Sequence, residues 1–114
     1  MSTEADELLL FIENDGDLYR QQAQPIMKNL ARKMVKGNYS STLAVKLWRY
    51  LADAGAQKYT REFGGGGGNG SYGVFTPADR QEVAKELSRK FERAIDGGEY
   101  DVNALAGFKS KRTH

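Results

Sequence analysis

The chain has 114 residues, no cysteine and a net charge of +2. That length suits one domain with a core of its own. The missing thiols exclude disulfides, thiolate metal sites and cysteine nucleophiles, and fit a reducing compartment. The small net charge hides a sorted one. Residues 1–19 carry six acids and no base, residues 20–61 carry nine bases and the single acid Asp53, and residues 62–114 carry eight of each. A basic block of this kind holds a polyanion, an acidic partner, or the acidic start of its own chain.

The first predicted helix covers roughly Glu4–Asn14. Acids crowd its first turn, where they favour the positive end of the helix dipole. Its Leu8-Leu9-Leu10-Phe11-Ile12 run is the longest apolar stretch, well short of the about 20 residues that span a bilayer. The acidic start lacks the positive charge of a secretory signal, so neither a targeting segment nor a membrane contact is expected, and the expected location is the cytoplasm. Asp15-Gly16 reads as a turn. It also hints at a calcium loop, but Phe11 and Glu13 stand where oxygen ligands at the right spacing are needed.

The second helix is expected over roughly Asp17–Lys36, with Asp17 as its N-cap. Tyr19, Ala23, Ile26, Leu30 and Met34 recur at helical spacing and predict its buried face. Pro25 lacks an N–H and crowds the preceding turn, so the helix is kinked there or begins there. Gly37-Asn38 predicts a left-handed cap. The third helix is expected over Thr42–Phe63 behind a Ser41 cap, with Ala44, Leu47, Trp48, Leu51, Gly55 and Tyr59 in one stripe. Gly55 allows the close approach of another helix.

Residues 64–73 are glycine-rich and predict a flexible loop. The Gly65-x-Gly67-x-x-Gly70 match to a dinucleotide fingerprint lacks the strand before it and the helix directly after it. Thr76, Pro77 and Asp79 then give a strong helix start signal. Val83, Leu87, Phe91, Ala94 and Ile95 form the apolar face of the fourth helix, and Gly97-Gly98 ends it. The expected fold is all-α: a small bundle of three main helices plus a short N-terminal helix, with the Gly-rich loop before the last main helix. The domain is expected to span 1–97, with the second and third helices paired as a hairpin. Residues 98–114 are expected to form a mostly flexible tail.

Catalysis is poorly provided for. The lone histidine is His114, the last residue, so an oriented Ser-His-Asp arrangement is not expected and imidazole is lacking for a metal site. Glu82 and Glu86 alternate with Lys85, Arg89, Lys90 and Arg93, the pattern of a salt-bridged helix face. Neither a catalytic residue nor a metal or cofactor is assigned, and a non-enzymatic binding module is expected.

Two kinds of partner stay open: a protein partner is the first expectation, and a nucleic acid is the alternative. A nucleic acid, DNA or RNA, would meet Lys28, Arg32, Lys33 and Lys36 on the second helix and Lys46 and Arg49 on the third, provided the helices pair so that both ridges flank one surface. The glycine between those helices also outlines a helix-turn-helix, though the second helix is long for that motif. A protein partner would use the apolar first helix and the aromatics, with Leu8, Phe11, Ile12, Tyr50, Tyr72 and Phe75 as contacts. A homodimer through the first helix belongs to this first expectation, of a protein partner.

The segments "ENDGDLYRQQ", "PIMKNLARK", "KLWRYLADAGAQKY" and "FTPADRQEVAKEL" resemble a family of small proteins from bacteriophages, plasmids and metagenomes, over about residues 12–95. The resemblance implies a mobile-element accessory protein acting on a host or phage partner inside a bacterial cell. The family carries no established biochemical activity, so no site residue comes with it. The glycines at 64–70 depart from its pattern, since relatives are shorter there.

Overall fold

The computed structural model describes residues 1–63 and 75–107. The glycine run, Tyr72 and the end of the tail, including His114, lie outside them. Among the described residues the fold is all-α, with no strand.

Helix α1 spans Thr3–Glu13. Ser2 starts it, its Oγ accepting from the Ala5 N–H at 3.1 Å. Ala5, Leu8, Leu9 and Ile12 form its buried side. A short turn leads to α2, Gly16–Leu18, whose N-cap is Asp15 rather than the expected Asp17. The Asp15 carboxylate accepts from the Leu18 N–H at 2.8 Å, while Asp17 turns outward to Arg20 at 2.8 Å.

The predicted disturbance at Pro25 takes a specific form. Residues Tyr19–Ala23 are a π-helical turn, in which the Gln24 N–H donates to the Tyr19 carbonyl. In an α-helix the Pro25 ring would press on the Gln21 carbonyl and leave it without a backbone donor. The wider turn relieves both, and α3 (Gln24–Lys36) follows without a break. Gly37 ends α3 at φ +79°, as its left-handed cap requires.

Helix α4 spans Ser41–Phe63. Ser40, one residue before the expected cap, accepts from the Leu43 N–H at 3.1 Å. Helix α5 spans Pro77–Asp96 and opens with the predicted reciprocal box: Thr76 Oγ1 accepts from the Asp79 N–H, and the Asp79 carboxylate accepts from the Thr76 N–H.

The helices do not pair as expected. α5, not α3, is the antiparallel neighbour of α4. Ser41 reaches Glu92 at one end of this pair, Arg49 reaches Gln81 further along, and Tyr59 meets Phe75 at the other end. α3 touches α4 only sparsely, so neither the hairpin nor a helix-turn-helix forms. α3 instead packs mainly against α6 (Val102–Leu105). Of the tail expected to be mostly flexible, residues 98–107 are described, and they include α6. Ala106 is buried, and its carbonyl accepts from Arg32 Nε at 3.0 Å.

α1 lies against α4 and α5, where Gly55 does what its position suggested. A Cβ at Gly55 would stand 2.5 Å from Ile12 Cγ1. Leu8, Leu30, Leu51 and Val83 are fully buried, each worth about 1.5–3 kcal/mol of transfer free energy. Leu8, Ile12 and Phe75, expected as contacts for a partner, are core residues instead. Phe11 is half-buried and sets its ring edge-on to Tyr59 at 5.3 Å. Of the apolar run, Leu8, Leu9 and Ile12 are thus buried within one chain, while Leu10 is exposed.

Candidate polyanion interface

The exposed side of α3 is set by its apolar side. Ile26, Met27, Leu30 and Ala31 are buried, so the residues one helical turn apart at Lys28, Arg32 and Lys36 point away from the core and are exposed, with Lys33 half-buried beside them. Lys33 and Lys36 also sit in the last turn, where a cation favours the negative end of the helix dipole. That structural benefit explains two lysines without requiring a ligand. It does not explain the whole arrangement, because Asn29, Arg32, Lys33, Lys36 and Asn38 together line a hollow of about 230 Å³ with no carboxylate in its wall. The bond from Arg32 to the Ala106 carbonyl fixes the guanidinium stem from the α6 side.

Whether the acidic start of the chain covers this ridge is answered by its ion pairs. Glu13 takes Lys90 at 2.7 Å, Asp15 takes Lys58 at 2.7 Å, and Glu7 accepts from the Tyr59 hydroxyl. The hydrogen bond from Lys58, followed by that from the Leu18 N–H, holds the Asp15 carboxyl below its ordinary pKa. Glu86 is likewise lowered, first by the hydrogen bond from Arg89. It binds Arg89 at 2.6 Å and Arg93 at 3.4 Å, as a salt-bridged helix face does. Lys28, Lys33 and Lys36 make no ion pair among the described residues.

Lys46 and Arg49 lie elsewhere, in a groove between α4 and α5 that Tyr50, Gln81 and Lys85 also line. Arg49 is partly neutralised, with Nε on Asp53 at 3.0 Å and Nη1 on Gln81 at 2.8 Å. The groove shares no lining residue with the α3 hollow. The six expected cations thus fall into a group of four and a group of two. Lys85 was read as one member of an alternating charged face. It is exposed and makes no ion pair among the described residues, and only the α4–α5 pairing places it beside Lys46. Of the expected protein contacts among the described residues, Tyr50 stands clear of the surface, at 66% exposure.

The Tyr39 hydroxyl donates to Glu92, and the Ser41 hydroxyl donates to the same carboxylate at 2.8 Å. These bonds fasten the α3–α4 connection to α5. Burial, and then the Glu92 carboxylate, push the Tyr39 phenol well above its usual pKa. No cluster of potential metal ligands occurs among the described residues. No helix among them is long and apolar enough to cross a membrane.

Fold and surface together define the class: a small all-α protein whose α3 carries a cationic ridge that no acidic segment covers among the described residues. The chain matches no protein-family model, no curated protein and no solved structure.

Proposed function

We propose that the protein is a non-enzymatic binding module that holds nucleic acid along α3. One observation carries this reading. Four cationic side chains, Lys28, Arg32, Lys33 and Lys36, follow one another along the outer side of α3, with no carboxylate paired to the lysines among the described residues, while four of the six acids of the first nineteen residues, Glu7, Glu13, Asp15 and Asp17, are engaged elsewhere. Phosphates spaced along a nucleic-acid backbone meet such a ridge with release of counterions. The resemblance to small phage and plasmid proteins supports a place for such a module in a bacterial host.

The test is a titration of labelled DNA and RNA oligomers followed by anisotropy. Four phosphate contacts on duplex DNA weaken binding about 10²-fold between about 50 and 200 mM salt. Lys28→Glu with Lys36→Glu should abolish binding, and Lys58→Gln on another surface should leave it nearly unchanged. Absence of binding at low salt sinks the reading. The second reading, a protein partner, draws support from Tyr50 among its described expected contacts. It would be favoured by a host-protein complex that is insensitive to the α3 reversals and lost in Tyr50→Ala.

A further inference from the structure

An open cavity of about 360 Å³ lies where α1, the π turn, α3, α4, α5 and the turn after α5 converge, far enough from the α3 hollow to share no lining residue with it. Ile12, Met27, Leu51 and Leu87 give it aliphatic walls. Its more telling feature is aromatic. Tyr19, Trp48, Phe91 and Tyr100 all line it. Trp48 and Phe91 have ring centroids 5.7 Å apart, and Phe91 and Tyr100 are 6.1 Å apart, so three rings stand in a row. Tyr19 sits beside Tyr100.

The charges on the lining are equally specific. Glu13, Glu99 and Lys90 are its only ionic side chains, and all three are solvent-exposed. Lys90 answers Glu13 at 2.7 Å, and Glu99 has no ion pair among the described residues. The lining therefore carries one negative charge more than positive, in a molecule that is positive overall. Aromatic rings attract a cation through their quadrupoles, and carboxylates at the edge add Coulomb attraction. The volume falls within the range of small-molecule sites.

We propose that this cavity binds a small organic ammonium ion with apolar substituents, the alkyl groups lying among the rings and the positive charge on the side of Glu13 and Glu99. The Lys90 ammonium occupies part of that position in the free protein, so a guest competes with it for Glu13. The proposal does not rest on the nucleic-acid reading.

Trp48 is the only tryptophan of the chain, so its fluorescence reports on this cavity. The experiment titrates the full-length protein with choline and with choline's uncharged isostere, in which a quaternary carbon replaces the nitrogen, at matched ionic strength. Choline should give a saturable change in the Trp48 emission. The isostere should bind about fivefold more weakly or worse, the equivalent of about 1 kcal/mol of cation–π attraction. Glu99→Gln should weaken choline severalfold. Lys90→Met, which frees Glu13 without emptying the core, should tighten it severalfold. A gain of affinity in Lys90→Met is not an effect that misfolding produces, and circular dichroism checks that both variants stay helical. No saturable change, an isostere that binds as well as choline, or a weaker Lys90→Met would each overturn the proposal.

Discussion

Ser2 Oγ donates to Asp79 Oδ1 at 3.0 Å across 77 positions of sequence. Each of the two residues sits at the N-terminus of a helix and accepts a bond there as well: Ser2 from the Ala5 N–H, Asp79 from the Thr76 N–H. The starts of α1 and α5 are thereby tied together, and Glu13 with Lys90 ties the same two helices further along. α1 and α5 consequently run parallel, with α4 antiparallel to both.

Asp79→Ala removes half of the reciprocal box and the link to α1 at once. A lost cap costs about 1 kcal/mol, and a lost partly buried hydrogen bond adds about 1 kcal/mol. Ser2→Ala should cost about 1 kcal/mol by the same reasoning. Urea denaturation of the two single variants and the double variant should show a loss for the pair smaller than the sum, because both singles break the same contact. Full additivity would contradict the contact.

Gly55→Ala should destabilise the protein by about 1–3 kcal/mol, the usual penalty for overpacking. Ile12 is the obstacle, standing 2.5 Å from the new Cβ. Ile12→Val leaves Cγ1 in place as a methyl but removes Cδ1, the next atom in contact, so Gly55→Ala should be milder in that background. Thermal unfolding of the four proteins measures the difference.

Asp15 gives a stability term that depends on acid. Its carboxyl is held below the ordinary value of 3.8 by Lys58 and then by the Leu18 N–H. A carboxylate lowered in the folded state stabilises fully above its unfolded pKa, and loses that contribution as pH falls through the folded value. Asp15→Asn keeps a good cap but not the ion pair with Lys58. The variant should be less stable than the parent at neutral pH, and the gap should close as the pH falls below about 3.8. Asp15→Ala also loses the cap and should keep a deficit of about 1 kcal/mol in acid. Urea midpoints from neutral pH down to strong acid follow both differences.

If Lys33 meets a phosphate, Lys33→Gln should weaken duplex binding alike for unrelated sequences. The slope of log affinity against log salt should fall by about 1. A change confined to one sequence would point to base contact instead.

The parts of the fold written in local chemistry were legible in the sequence. Thr76, Pro77 and Asp79 make their bonds within one turn, so the start of α5 needs no tertiary information. Gly37 is similar, since its left-handed angle answers to the α3 carbonyls just before it. Asp15 and Asp17 are both good caps by composition, and the structure separates them: Asp15 accepts from the Leu18 N–H and sits closer to Lys58, while Asp17 pairs with Arg20. The Leu8–Ile12 run reads equally as a core stripe or a docking stripe, and Gly55 on a distant helix decides for the core. The α3 ridge was visible as a spacing of four. Its separation from Lys46 and Arg49 was not, because it depends on α4 choosing α5 as its neighbour. The aromatic cavity draws on six elements and leaves no trace at any single position.

The π turn at Tyr19–Ala23 acts as a phase shifter. It inserts one backbone residue into a helix that otherwise advances about 100° per residue, so everything downstream is rotated by that amount. Deleting one residue there would rotate α3 back by about 100° and set the Pro25 ring against a carbonyl of the turn before it. Leu30 would leave the core. The direction in which this protein presents its positive charge is therefore set a full turn or more upstream of the first lysine, by a segment that carries none of that charge beyond Arg20.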